Sequence, residues 1–282
     1  MRYAHAGLLV AAFVLPLTAQ EPRTEPASLI RIFCERIKEG HETAHEAVEK
    51  KFAAAARKAK FPWGVLGMDA VTGPNEVWFI QPFDSFADFQ KAWDAFDQST
   101  AMKAEMETLG VQDGEQRVSG RTLLARYRPA MSYRATEAVA NLPRMRYVQV
   151  LAIHVKPGYD STVHEVARIG IAALEKANDE RPLLTYQVIS GEANTYLLFR
   201  ATADWASLDK EDDQARALYG AMGEDLRKYV GGAREAISSE DSMIFALNAG
   251  TSVVPKSFVD ADPAFWRPKP VPAPKKKTAT TK

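Results

Sequence analysis

Asn75–Lys91 reads NEVWFIQPFDSFADFQK, and 119 positions later Asn194–Lys210 reads NTYLLFRATADWASLDK. Without a gap, Asn75, Trp78, Phe79, Ala87 and Lys91 fall on Asn194, Leu197, Leu198, Ala206 and Lys210, while Ser85, Phe86 and Phe89 meet Asp204, Trp205 and Leu208. Upstream, Ile30, Ile32, Lys38 and Gly40 answer to Val148, Val150, Lys156 and Gly158 at a shift of 118, so one inserted residue separates the two registers. A unit of roughly 100 residues repeated once points to a domain duplication, because solenoid repeats are about 20 to 50 residues long.

Each unit carries the same order of signals. Residues 29–37 and 147–155 are β-branched and apolar on both faces, which suits strands covered on each side. A Lys-x-Gly turn follows each, then a helix over 42–59 and over 160–177 with apolar residues at helical spacing. Two hairpins are expected, 63–71 with 76–81 and 183–190 with 195–200, joined by TGPN and SGEAN. Ser85 and Asp204 are the expected caps of the next helices, and Ser85 with Asp88 has the spacing of a capping box. Phe86, Phe89, Trp93 and Phe96 form an aromatic stripe expected to pack on the sheet. Further helices (100–110, 215–229) and last strands (121–128, 241–248) complete a β-α-β-β-α-β order in each copy. The expected fold class is α+β, with two tandem ferredoxin-like units at 29–134 and 145–250. Sheets apolar on both faces need a cover, and the sister sheet supplies it. The expectation is therefore two sheets face to face with helices outside, a fused pseudo-two-fold α/β barrel.

The paired strands IRIFCERIKEG and VQVLAIHVKPG, with the NEVWF and NTYLLF strands after them, resemble the dimeric α/β-barrel superfamily and its antibiotic-biosynthesis-monooxygenase-like and NIPSNAP-like domains. The resemblance covers nearly all of residues 29–248 and rests on element order, with no catalytic signature, so it carries over no functional residue. It implies a pocket between sheet and helices in each unit. It also implies a range of activities: cofactor-free monooxygenases, haem-handling enzymes, isomerases and proteins with no assigned reaction.

Composition adds an address. Arg2 followed by the apolar run Ala6–Leu17 and a small-residue zone at Thr18–Gln20 reads as a secretory signal over residues 1–20, far short of the roughly 20 apolar residues that span a bilayer. The expected localisation is secreted or periplasmic. Lysine plus arginine balance aspartate plus glutamate at 36 each, yet residues 251–282 hold seven basic and two acidic residues, so the body of the chain is mildly acidic. That balance gives no reason to expect nucleic-acid binding. The Pro- and Lys-rich segment 251–282 is expected to be extended or disordered. Cys34 is the only cysteine, so an internal disulfide is impossible, and its place among Ile30 and Ile32 suggests a small buried hydrophobe.

For chemistry, His45 and His164 occupy equivalent places on the first helices, and both are expected on the sheet-facing side, as general base, ligand or satisfied structural histidine. Arg36 with His154, and Gln81 with Arg200, correspond at strand ends, and together with Trp78 they are the candidate ligand-binding groups. His41–His45 reads H-E-T-A-H, the pattern of a zinc-peptidase helix, but the second copy keeps only one of the two histidines and no third ligand stands at a familiar spacing. His41 and His45 are thus weak metal candidates. The expected function is binding of a small, partly apolar molecule, with no cofactor required. The alternatives are a cofactor-free monooxygenase-like or haem-dependent enzyme, and a structural module of the cell envelope. Fusion of the units makes a monomer the expected state.

Overall fold

The computed structural model describes residues 23–267, so the signal reading and the distal part of the tail lie outside the described residues. The chain runs β1 (Leu29–Ile37), α1 (Glu42–Lys58), β2 (Leu66–Ala70), β3 (Glu76–Phe83), α2 (Phe86–Gln98), α3 (Thr100–Gly114) and β4 (Arg117–Tyr127). A linker with α4 (Ala135–Asn141) leads to β5 (Tyr147–Val155), α5 (Asp160–Lys176), β6 (Leu184–Ser190), β7 (Thr195–Thr202), α6 (Glu211–Met222), α7 (Leu226–Ala236) and β8 (Ile237–Leu247). Gly40 and Gly158 close the β1–α1 and β5–α5 turns at φ of +80° and +87°, a conformation that costs a residue with a Cβ. α1 starts on Glu42 and ends on Arg57 and Lys58, charges that complement the helix dipole.

All eight strands form one closed antiparallel barrel in the order β1-β3-β2-β8-β5-β7-β6-β4. The two chain halves have matching neighbour orders, β4-β1-β3-β2 and β8-β5-β7-β6. This agrees with the expected α/β barrel and revises its form, since the two sheets join edge to edge and do not stack. The edges do not stay open, because β2 pairs with β8 (Met68 opposite Leu247) and β4 pairs with β6 (Ala125 opposite Val188). Closure removes four unpaired strand edges. At the β4–β6 seam Gly191 sits at φ +100°, and a Cβ there would run into the carbonyl of Thr122.

Strand alternation then sorts the side chains. Ile30, Ile32 and Cys34 point into the barrel with Met68, Trp78, Leu123, Val150, Leu197 and Phe245, and the Trp78 and Phe245 rings lie 4.9 Å apart. Leu29, Phe33 and Ile37 face outwards beneath the helices. An eight-stranded barrel of this kind is just wide enough to be filled by its own side chains or to hold one small ligand.

Two expectations about peripheral segments need correction. Only Phe89 of the aromatic stripe reaches the core, where it packs edge-on against Phe83; Phe86 and Trp93 are half exposed. Strong helical spacing marks a face, but the outer wall is wide enough to seat only the middle of that face. The tail is not extended throughout. Val253 bridges to Val65, and α8 (Lys256–Ala261) and α9 (Pro263–Trp266) fold back on the barrel end. Trp266 is buried there, its Nε1 donating to the Pro143 carbonyl at 2.6 Å. The apolar residues Val253, Val254, Phe258, Phe265 and Trp266 outweigh the prolines in deciding the state of this part.

Candidate functional site

The described residues hold two places where chemistry could reside. The first is a cavity of about 720 Å³ at the barrel end formed by the starts of β1, β2, β5 and β6 and the ends of β3 and β7. Ile30, Met68, Val148, Leu184, Tyr186 and Phe199 form its wall, and Pro143, Met145, Val254 and Phe258 roof it. Its polar lining residues include Arg23, Glu25, Gln149, Arg181, Arg200 and Glu211, with Gln149 and Arg200 paired across β5 and β7 on the outward face. Burial raises the Tyr186 hydroxyl well above its ordinary pKa and keeps it neutral; it donates to the Ala27 carbonyl at 3.1 Å. An apolar hollow with a few convergent polar groups is the usual form of a small-molecule site. It lies in the barrel lumen, where the resemblance implied a pocket between sheet and helices.

The second place does lie between sheet and helices, in the first half only. Glu35 on the outward face of β1, His45 and Glu49 on α1, and Asp113 on α3 converge, all buried. His45 Nε2 lies 2.8 Å from Glu35 Oε2, 3.3 Å from Asp113 Oδ1 and 3.9 Å from Glu49 Oε1. Arg117, at the start of β4, donates to Glu35 Oε1 at 2.6 Å and forms an ion pair with Asp113 Oδ2 at 3.0 Å. Burial opposes protonation of His45, but the nearby Asp113 carboxylate at 3.3 Å, the hydrogen bond to Glu35 and the charges of Glu35 and Glu49 outweigh it and push its pKa up to about 9. Burial, together with the charges of Glu35 and Asp113, pushes Glu49 up to about 8. Burial also raises Glu35, against the pull of His45 and Arg117.

Sequence reasoning passed over Glu35, Glu49, Asp113 and Arg117. Two signals for them existed: a lone carboxylate inside an otherwise apolar strand, and a Glu four residues after His45 on the same helix face. Asp113 and Arg117 have no local signal, since they reach the cluster only through packing of α3 and β4.

The earlier candidates scatter. His41 is exposed, with Nδ1 on Gln116 Oε1 at 2.8 Å, and does not join His45 as the H-E-T-A-H pattern requires. His164 is exposed, a correction to its expected sheet-facing place. α5 matches α1 at a shift of 118, so Val163 takes the buried place of His45, and His164 stands at the edge, 3.4 Å from the Tyr196 hydroxyl, which donates to Asp160 at 3.2 Å. Arg36 is exposed at the opposite end of the barrel from the cavity, and His154 nearby bonds Thr195 Oγ1 at 3.1 Å and Asp241 at 3.2 Å. Trp78 is buried in the lumen, donating to Glu76 at 2.8 Å. Gln81 accepts from Arg31 at 2.8 Å on the outer wall. Of these five ligand-binding candidates, Arg200 alone lines the cavity.

A closed antiparallel α/β barrel with helices outside is the class this fold defines. No protein-family model matches the chain, and no curated protein matches it in sequence. Solved structures match it in fold. A protein from Fusobacterium nucleatum subsp. nucleatum, provisionally assigned as a monooxygenase, is 9% identical with a TM-score of 0.50, over 79% of this chain and 93% of that one. A mutant chlorite dismutase from Candidatus Nitrospira defluvii is 9% identical with a TM-score of 0.50, over 85% of this chain and 98% of that one. An anthrone oxidase-like protein is 12% identical with a TM-score of 0.47, over 79% and 92%. The chain is similar to these α/β barrels in fold, and at such identities in fold alone. No described helix is long and apolar enough to cross a membrane.

Proposed function

We propose that the protein binds one small, predominantly apolar molecule in the lumen cavity, whose polar lining residues include Arg200. The observation that carries this reading is the 720 Å³ hollow itself, in a barrel whose remaining interior is filled. Its volume falls within the few hundred to 1,000 Å³ usual for small-ligand sites. Arg200 is pulled below its ordinary pKa by burial yet remains a cation at neutral pH, so an apolar ligand with one anionic or carbonyl end suits it. Ala201, on the same strand and facing the hollow, is the position at which to fill it. Native mass spectrometry of the purified chain should show a retained small molecule, and a fluorescent apolar anion such as anilinonaphthalene sulfonate should bind and be displaced by it. Ala201→Trp should lower that affinity at least about tenfold, the effect of losing roughly 1.4 kcal/mol. Equal binding by the wild-type chain and the Ala201→Trp variant would refute the reading.

Histidine-ligated haem does not fit this hollow, because no histidine is among its lining residues. His45 directs Nε2 at Glu35 and Asp113, and His164 stands exposed. The fold likeness to oxygen-handling proteins supports an enzymatic alternative only loosely. Three further statements belong to the same proposal. The matching neighbour orders of the two halves support an origin in two fused ferredoxin-like units, 29–134 and 145–250. Fusion supports a monomer. The apolar leader supports export, which intact-mass analysis of the exported fraction tests through loss of about 20 N-terminal residues.

A further inference from the structure

We propose that Glu35, His45, Glu49 and Asp113 form a closed site for one divalent first-row transition cation (Mn2+, Fe2+ or Zn2+), which fastens α1 and α3 to the wall of the barrel's first half. The four side chains offer one imidazole nitrogen and three carboxylate oxygens, all within 4.8 Å of one another. Ligands about 2.1 Å from a tetrahedral ion are separated by roughly 3.4 Å. The observed 2.8, 3.3 and 3.9 Å from His45 Nε2 to the three carboxylates bracket that spacing.

A crowd of carboxylates is not by itself a site, and a second observation points to a ligand here. Asp113 Oδ1 has no hydrogen-bond partner, although its side chain is only 4% exposed and the oxygen faces His45 Nε2. A buried acceptor left unmade costs about 1–3 kcal/mol, more when charged. Arg117 explains why that oxygen and not its twin is free. Its guanidinium binds the outer oxygen of both Glu35 and Asp113, Oε1 and Oδ2, which turns Oε2 and Oδ1 towards His45. Such outer contacts are what hold carboxylate ligands in register. The donor set contains no sulfur and mixes imidazole with carboxylate, which suits Mn2+, Fe2+ or Zn2+ better than Cu+ or Mg2+. None of the four side chains lines the lumen cavity, and four protein ligands leave no open position, so the cation is structural and stands apart from the ligand site. The second half cannot repeat it. Ile153, Val163 and Ala167 stand at the positions of Glu35, His45 and Glu49.

The test uses the full chain after chelation and dialysis. Titration with Zn2+ by calorimetry, and with Mn2+ by electron paramagnetic resonance, should each show one bound ion per chain, accompanied by a rise in melting temperature. Glu49→Gln and Asp113→Asn should each weaken binding at least about tenfold, while His164→Gln leaves it unchanged. Glu49→Gln is isosteric and puts no new charge among the carboxylates, so the cation-free variant should melt no lower than the cation-free wild type, which separates loss of the site from loss of the fold. Absence of one-to-one binding of both ions to the wild-type chain would overturn the proposal, and so would stoichiometric binding that survives both carboxylate substitutions.

Discussion

His45 is the residue where charge and folding are most tightly joined. In the cation-free chain its imidazole faces Glu35 from β1, Glu49 from its own helix and Asp113 from α3, with Arg117 of β4 completing the ring of charges. Its pKa of about 9 lies above the ordinary 6.5, so the folded state holds its proton more tightly than the unfolded chain. The stability this contributes is complete below about pH 6.5 and is lost as pH rises through 9. Glu49, held at about 8 against an ordinary 4.5, acts in the same direction, its contribution complete below about pH 4.5 and lost as pH rises through 8. Thermal melts of cation-free protein should therefore fall between neutral pH and about pH 9.5, and the fall should be smaller in His45→Gln. A melting temperature flat across that range would contradict the assigned charge state. At neutral pH the same variant should lose about 3–5 kcal/mol, because it strips the carboxylates of their buried cation. Cys34, by contrast, is pushed up to about 12, chiefly by burial, and belongs to the packed interior.

At the scale of elements, helices and strands were readable wherever a local pattern recurred. The β1–α1 and β5–α5 units begin and end within a residue or so of where spacing, Lys-x-Gly turns and periodicity put them. The pattern misled where position relative to the barrel decides. After Asp204 the chain forms a short 3-10 turn, Trp205–Lys210, before α6, although its partner Ser85 starts a regular helix. The segment after β8 folds because apolar side chains meet the roof of the lumen, a meeting that proline and lysine content does not encode. Trp266→Ala tests that segment: it removes a buried indole and its hydrogen bond to Pro143, and should cost about 3–5 kcal/mol in urea denaturation. A loss under about 1 kcal/mol would show that α8 and α9 contribute little to the closed end.

On the scale of the whole molecule, the barrel makes each half incomplete. Residues 29–134 alone would expose the unpaired edges of β2 and β4 and half of the lumen core, including Ile32, Trp78 and Leu123. Either half expressed alone should aggregate or pair with itself in size-exclusion chromatography, whereas the intact chain should elute as a monomer. A soluble, folded single half would contradict this dependence. The sequence by itself determined the element order, the repetition and the buried face of each strand, because these follow from periods of 2 and 3.6 residues and from turn chemistry that acts over a few positions. Only the tertiary structure decided that the edges of the expected barrel pair into one continuous sheet, that the cavity sits in its mouth, and that Glu35, Glu49 and Asp113 meet His45 while His164 stays outside. The reason is physical: these outcomes depend on contacts between residues far apart in the chain, such as Arg117 with Glu35 at 82 positions, and on the register in which each helix meets the barrel, which buries Val163 and not His164 at the place His45 holds in α1.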